Sequence, residues 1–166
     1  ELWAHDTSNH STWQVADINN IGHSYPGSLM QILAGDTIYF DADDGNNGKE
    51  LWAHDTSNHS TWQVADISTG GSTVGNSFPG SNGMEILVGD TIYFSADDGN
   101  DGVELWAHDT SNHSTWQITD VNSGSSSYPG FYIAILVGDT IYFDADDGNH
   151  GIELFAMTIE HSITYN

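Results

Sequence analysis

Apolar and polar positions along the chain fall into short extended runs rather than helical faces. Met84 to Val88 (MEILV) is a nearly continuous apolar run, the pattern of a strand buried on both faces, and Gly89 and Asp90 interrupt it. In Thr91 to Ala96 (TIYFSA), Ile92, Phe94 and Ala96 alternate with Thr91, Tyr93 and Ser95, which predicts a half-buried strand. The turn Asp97-Asp98-Gly99-Asn100-Asp101-Gly102 follows, with Gly and Asn where positive φ is needed. Val103 to His108 (VELWAH) then reads as a third strand, Asp109 to Ser114 as a hairpin loop and Thr115 to Val121 as a fourth strand. No stretch has convincing helical periodicity, so the expected fold class is all-β.

This four-strand pattern recurs. ELWAHDTSNHSTWQVADI occupies Glu1 to Ile18 and, letter for letter, Glu50 to Ile67. A third copy opens at Glu104, and a degenerate fourth, ELFAMTI, runs from Glu153 to Ile159, giving periods of 49, 54 and 49 residues. One domain over residues 1–166 is expected, with repeats 1–49, 50–103 and 104–152 and a partial repeat 153–166. Four strands per period, with Trp fixed in the last two, predict a β-propeller-type array of four-stranded antiparallel blades. A β-trefoil-like three-fold repeat is the rival arrangement. The longer connections, Asn19 to Ser28, Ser68 to Gly83 and Asn122 to Gly130, each carry an aromatic-Pro-Gly triplet (Tyr25, Phe78 and Tyr128 lead them) and should take the chain from one blade to the next.

Strand counting from Glu1 gives strands three and four first, two whole blades, and then an incomplete last unit, so the chain reads as an excised piece of something longer. Open strand edges invite pairing. The expected partners are therefore other copies of the chain or neighbouring repeats, joined end to end into a six-bladed dimer or an open polymer. The tail HSITYN is the alternative partner for the last unit.

Charge changes the picture. Asp and Glu number 24 against a single basic residue, Lys49, for a formal net charge of -23. Nucleic acid and anionic lipid are excluded as partners, since both need Lys and Arg to neutralise phosphate. Cations are attracted, and self-repulsion on this scale calls for salty or calcium-rich surroundings. There is no cysteine, hence no disulfide framework, and no apolar run of about 18 residues, hence no membrane insertion. These features favour an extracellular or cell-surface location.

At ELWAHDT, with YFDADDGNNGKELW upstream, the sequence resembles the ELWxxDGT repeat family of large secreted and surface proteins of bacteria and archaea. The resemblance covers nearly the whole chain through Glu-Leu-Trp, Asp6, Asp55 and Asp109, and the block GDTIYFxADDGxxGxELW from Gly35 to Trp52 and Gly89 to Trp106. Thr7, Thr56 and Thr110, each followed by Ser, depart from the family's Gly-Thr. The resemblance implies a propeller-like array and no particular activity.

The acidic turns are the first candidate chemistry. Asp41, Asp43, Asp44 and Asn46 with Glu50, then Asp97, Asp98 and Asn100 with Glu104, then Asp144, Asp146, Asp147 and Asn149 with Glu153, could converge oxygens on calcium. The spacing is not that of an EF-hand, and Ser95 replaces the first Asp in the middle copy, which should then bind weakest. Alternatively these residues only form turn bonds, with the Glu a solvated strand residue.

His5 and His10, His54 and His59, and His108 and His113 flank the same hairpin and offer a Zn or Cu site beside Asp6, Asp55 or Asp109, or serve as turn residues. The six Trp residues (Trp3, Trp13, Trp52, Trp62, Trp106 and Trp116) either pack between blades or expose sugar-stacking faces. There is no G-x-S-x-G turn and no Arg, and near-identical copies present no asymmetric catalytic set. The expected function is a non-enzymatic extracellular structural or adhesive module, calcium-stabilised and assembling through open edges. A multivalent carbohydrate-binding propeller, with glycans as partners, is the alternative, and a secreted hydrolase the third.

Overall fold

The computed structural model describes residues 1–69 and 75–159. The chain is all-β, and its strands form four separate antiparallel sheets, none of them closed. The first sheet pairs β1 (Leu2–Asp6) with β2 (Ser11–Ala16). The second runs β3 (Gln31–Ala34), β4 (Thr37–Asp43), β5 (Lys49–Asp55) and β6 (Thr61–Ala65) in sequence order. The third repeats that order with β7 (Glu85–Val88), β8 (Thr91–Asp97), β9 (Val103–Asp109) and β10 (Ser114–Thr119). The fourth holds β11 (Ala134–Val137), β12 (Thr140–Asp146) and β13 (Ile152–Thr158). The tail HSITYN lies outside the described residues.

Registers repeat with the sequence. Phe40 faces Trp52, Phe94 faces Trp106, and Phe143 faces Phe155 across the second and third strands of each unit. A bulge recurs where the third strand meets the fourth, between Leu51 and Trp52 in the second sheet and between Leu2 and Trp3 in the first. Among the described residues no helix is long and apolar enough to cross a membrane.

Two apolar layers hold neighbouring sheets face to face. In one, Met30, Tyr39, Leu51 and Ala53 of the second sheet meet Ile92, Phe94 and Ala96 of the third, with Trp62 and Trp106 packed against them. In the other, Met84, Tyr93, Leu105 and Ala107 of the third sheet meet Ile141, Phe143 and Ala145 of the fourth, flanked by Phe155 and Met157. Successive residues of β8 therefore serve opposite neighbours, as the two-residue repeat of a strand dictates.

This layering corrects two strand readings. The apolar run Met84 to Val88 predicts burial on both faces, yet only Met84 is fully buried and β7 is half-buried throughout. The first strand of the second, third and fourth sheets is an edge, paired on one side only, with β7 lying beside β3 and β11. Conversely, the alternating Thr91 to Ala96 predicts one solvated face, yet Tyr93 and Ser95 are buried as well. Sheets on both sides enclose β8, so its polar-looking face meets protein rather than water.

Candidate functional site

The acidic residues of each repeat divide by position into three structural uses. The turn residues bond to their own loop: Asp43 Oδ1 accepts the Gly45 N–H at 2.7 Å, and Asp44 Oδ1 accepts those of Asn46 and Asn47 at 2.8 and 2.7 Å. Asp97 and Asp98 do the same for Gly99, Asn100 and Asp101, and Asp146 and Asp147 for Gly148, Asn149 and His150. Bonds from His150 hold the Asp147 carboxyl down at about 2. Asn46, Asn100 and Asn149 stand exposed at the turn tips.

Asp41 faces away from its turn. It is fully buried, and its carboxylate accepts the N–H groups of Leu29 and Met30 at 2.8 and 3.0 Å, the Ser28 hydroxyl at 2.7 Å and the Lys49 ammonium at 2.9 Å. Burial works to raise its pKa, but the bonds from Met30, Ser28, Leu29 and Lys49 outweigh it and leave the group lowered. Lys49, the sole basic residue, also donates to Ser28 and lies over the Tyr25 ring, 5.5 Å from its centroid. Asp144 repeats the cradle by accepting from Tyr132 and Ile133 at 3.0 and 2.9 Å.

The strand glutamates are joints between units. Glu50 is fully buried and accepts the N–H of Ile67 at 2.8 Å, the N–H of Ser77 at 3.2 Å and the Ser77 hydroxyl at 2.6 Å. Glu104 takes the same three bonds from Val121 and Ser127, at 3.0, 2.9 and 2.6 Å. Burial pushes Glu50 up to about 7 and raises Glu104 as well, against the pull of these donors. The clamped segment bridges two sheets, because Ser77 donates its N–H to Lys49 O of the second sheet and accepts from Asp97 N of the third. Gly80 completes the bridge: at φ +75 it brings its backbone so close that a Cβ there would lie 2.7 Å from Met30 Cβ, room that only glycine leaves. Glu50 and Glu104 are thus not the solvated strand residues of the turn-only reading, whereas Glu153 is exposed.

Among the described residues no three His, Cys, Asp or Glu side chains gather as a metal-holding group. The histidine pairs do approach, with ring centroids 6.3 Å apart for His5 and His10 and 6.5 Å for His54 and His59. The first member of each pair is bonded through Nδ1 to a threonine (Thr12, Thr61 or Thr115) at 2.7 to 2.9 Å. His10, His59 and His113 hold the left-handed turn position, at φ 61, 63 and 61. His108 is fully buried beside Tyr39, their ring centroids 5.3 Å apart, and burial pulls its pKa down to about 4. Among the tryptophans, Trp62 and Trp106 pack into the inter-sheet layer, while Trp3, Trp13 and Trp116 remain exposed.

Sequence reasoning missed Ser77 and Ser127 as clamp residues. Their signal was present, since a Ser precedes each aromatic-Pro-Gly triplet, but it sits within Gly/Ser-rich loops. No protein-family model matches the chain, and no curated protein matches it.

Proposed function

We propose that this chain is a non-enzymatic structural or adhesive repeat module of an exported protein, built as a propeller-like array of the kind the ELWxxDGT resemblance implies. The single observation that carries the reading is the repeated joint: Glu50 with Ser77 and Glu104 with Ser127 lock successive sheets by the same three bonds. Machinery used twice without variation serves stacking of units, whereas catalysis calls for one asymmetric constellation.

Assembly through strand edges belongs to the same proposal. On the fourth sheet Leu154 is 65% exposed, while its counterparts Leu51 and Leu105 are 0% exposed beneath a following sheet. Ile133 and Ile135 on the same sheet are exposed as well, at 42% and 49%. A further unit of the same kind is the natural cover for that surface, because the molecule shows such a cover twice. Calcium acts in this reading as the counterion of the acidic rim, where the turn bonds engage Oδ1 of Asp43, Asp97 and Asp146.

Light scattering over a range of chain concentrations tests the proposal. Self-association that Leu154→Asp abolishes is expected, since a charge cannot be buried there unpaired. A wild-type chain that stays monomeric throughout, or a variant that associates as strongly, removes the assembly reading.

A further inference from the structure

We infer that the cleft between the second and third sheets binds a neutral sugar, a pyranose ring or the end of an oligosaccharide. The cleft has a volume of about 390 Å³ and is lined by Tyr39, Asp55, Trp62, Thr110 and His113, with Asn58 and Ser60 at its rim. That volume is in the range of sites that take one small ligand. It is assembled from three hairpins, the β3–β4 turn below and the β5–β6 and β9–β10 loops as walls.

The walls are fixed before any ligand arrives. Thr56 donates both its N–H and its hydroxyl to Asp36 O, at 2.9 and 2.8 Å, tying the β5–β6 loop to the β3–β4 turn. Thr110 makes the same pair of bonds to Asp90 O at 2.7 and 2.9 Å. Within the loop, Asp55 accepts from the Ser57 N–H and hydroxyl at 2.7 and 2.6 Å and from Asn58 Nδ2 at 2.7 Å. Trp62 is held from behind by the apolar layer, and Tyr39 rests on the buried His108 ring. Binding here therefore orders few side chains.

The lining selects the ligand class. Hydroxyl, amide and imidazole groups donate and accept and the Asp55 carboxylate accepts, which matches sugar hydroxyls, while an indole offers the flat apolar surface on which a pyranose C–H face stacks. No Lys or Arg lines the cleft and the chain carries a net charge of -23, so an anion is repelled. An organic cation finds only Asp55, whose carboxylate is already engaged by its own loop. Asp6, Ser11 and Trp13, and Asp109, Ser114 and Trp116, occupy the same hairpin positions in the first and third sheets. An array of such units carries weak sites in a row, and avidity follows from repetition. The site uses no residue of the fourth sheet and is independent of the assembly reading.

The test is NMR observation of the Trp indole N–H signals in the full chain during titration with glucose, galactose, N-acetylglucosamine and their tetramers, with sialyllactose and choline as charged probes. A saturable shift of the Trp62 signal by a neutral sugar is expected. His113→Asn, which tolerates φ 61 and is read on the Trp62 signal, and Trp62→Phe, which keeps a ring in the apolar layer and is read on the backbone amide signals of Thr110 and His113, should each weaken binding by about fivefold or more, the loss of one good contact. Trp3→Ala, at a ring 58% exposed in the first sheet, should leave binding unchanged. Leu154→Asp should also bind as the wild type does, which separates this site from self-association. The inference is overturned if no neutral sugar moves Trp62, if only a charged probe does, or if correctly folded His113→Asn and Trp62→Phe chains bind undiminished.

Discussion

Positions 41, 95 and 144 are the same site met three times, and their differences isolate one interaction. Asp41 meets Lys49 and Ser28, so both carboxylate oxygens have donors. In the middle copy Val103 takes the position of Lys49, paired with Asp97 as Lys49 is with Asp43, and the Ser95 hydroxyl accepts the Asn82 N–H at 3.3 Å. Asp144 keeps the carboxylate, but Ile152 and Phe131 replace the lysine and serine, and its Oδ2 is buried with no donor. A buried acceptor left unmade costs about 1–3 kcal/mol. Ile152→Lys should therefore stabilise the protein by about 1 kcal/mol, or raise Tm by roughly 2–4 °C in a chain of this size. Ile152 is 46% exposed, so little packing is lost. Calorimetry checks it, with Val103→Lys as the control expected to give no gain, because Ser95 offers no charge to meet.

At the scale of the strand and its connection, the Glu50 joint sets how one sheet follows the next. Its folded pKa, pushed up to about 7, lies above the ordinary 4.5, so the protonated form is the one the fold prefers. Its contribution to stability is full below pH 4.5 and is lost as pH rises through 7. Glu50→Gln keeps the shape and one acceptor without the titration. The difference in Tm between this variant and the wild type should therefore shift in the variant's favour from pH 5 to pH 8. A constant difference would mean that Glu50 is not desolvated in solution. Glu50→Ala should cost on the order of 3 kcal/mol at pH 5, since three donors, one of them a buried hydroxyl, lose their acceptor, and less at pH 8, where the wild type carries the buried charge.

For the molecule as a whole, a net charge of -23 opposes compactness at every pH above the carboxylate range. Screening reaches only about 8 Å at physiological salt, so repulsion between neighbouring turns is damped while repulsion within a turn is not. NaCl should raise Tm, and millimolar calcium at matched ionic strength should raise it further through binding to the native state. Thermal melts with and without calcium check this; identical curves at equal ionic strength reduce calcium to a screening ion.

How much of this was legible depends on the range of the interaction involved. Strand limits, hairpins and the repeat were readable because they rest on local alternation and turn chemistry: Thr91 to Ala96 appears as Thr91–Asp97, and Val103 to His108 as Val103–Asp109. The asparagine and aspartate turns were readable for the same reason. Burial was not, because a two-residue pattern records which face a side chain takes and not what lies opposite. Hence Tyr93 and Ser95, polar by pattern, are enclosed, and the apolar β11 is exposed over Ile135, Leu136 and Val137. Nor could sequence alone separate Asp41 from Asp43, two residues apart on one strand; only the approach of Ser28 and Lys49 makes the first a buried cradle. Chain-local physics determined the elements and their number. Contacts between Glu50 and Ser77, 27 residues apart, decided how those elements are joined and which acidic groups leave water.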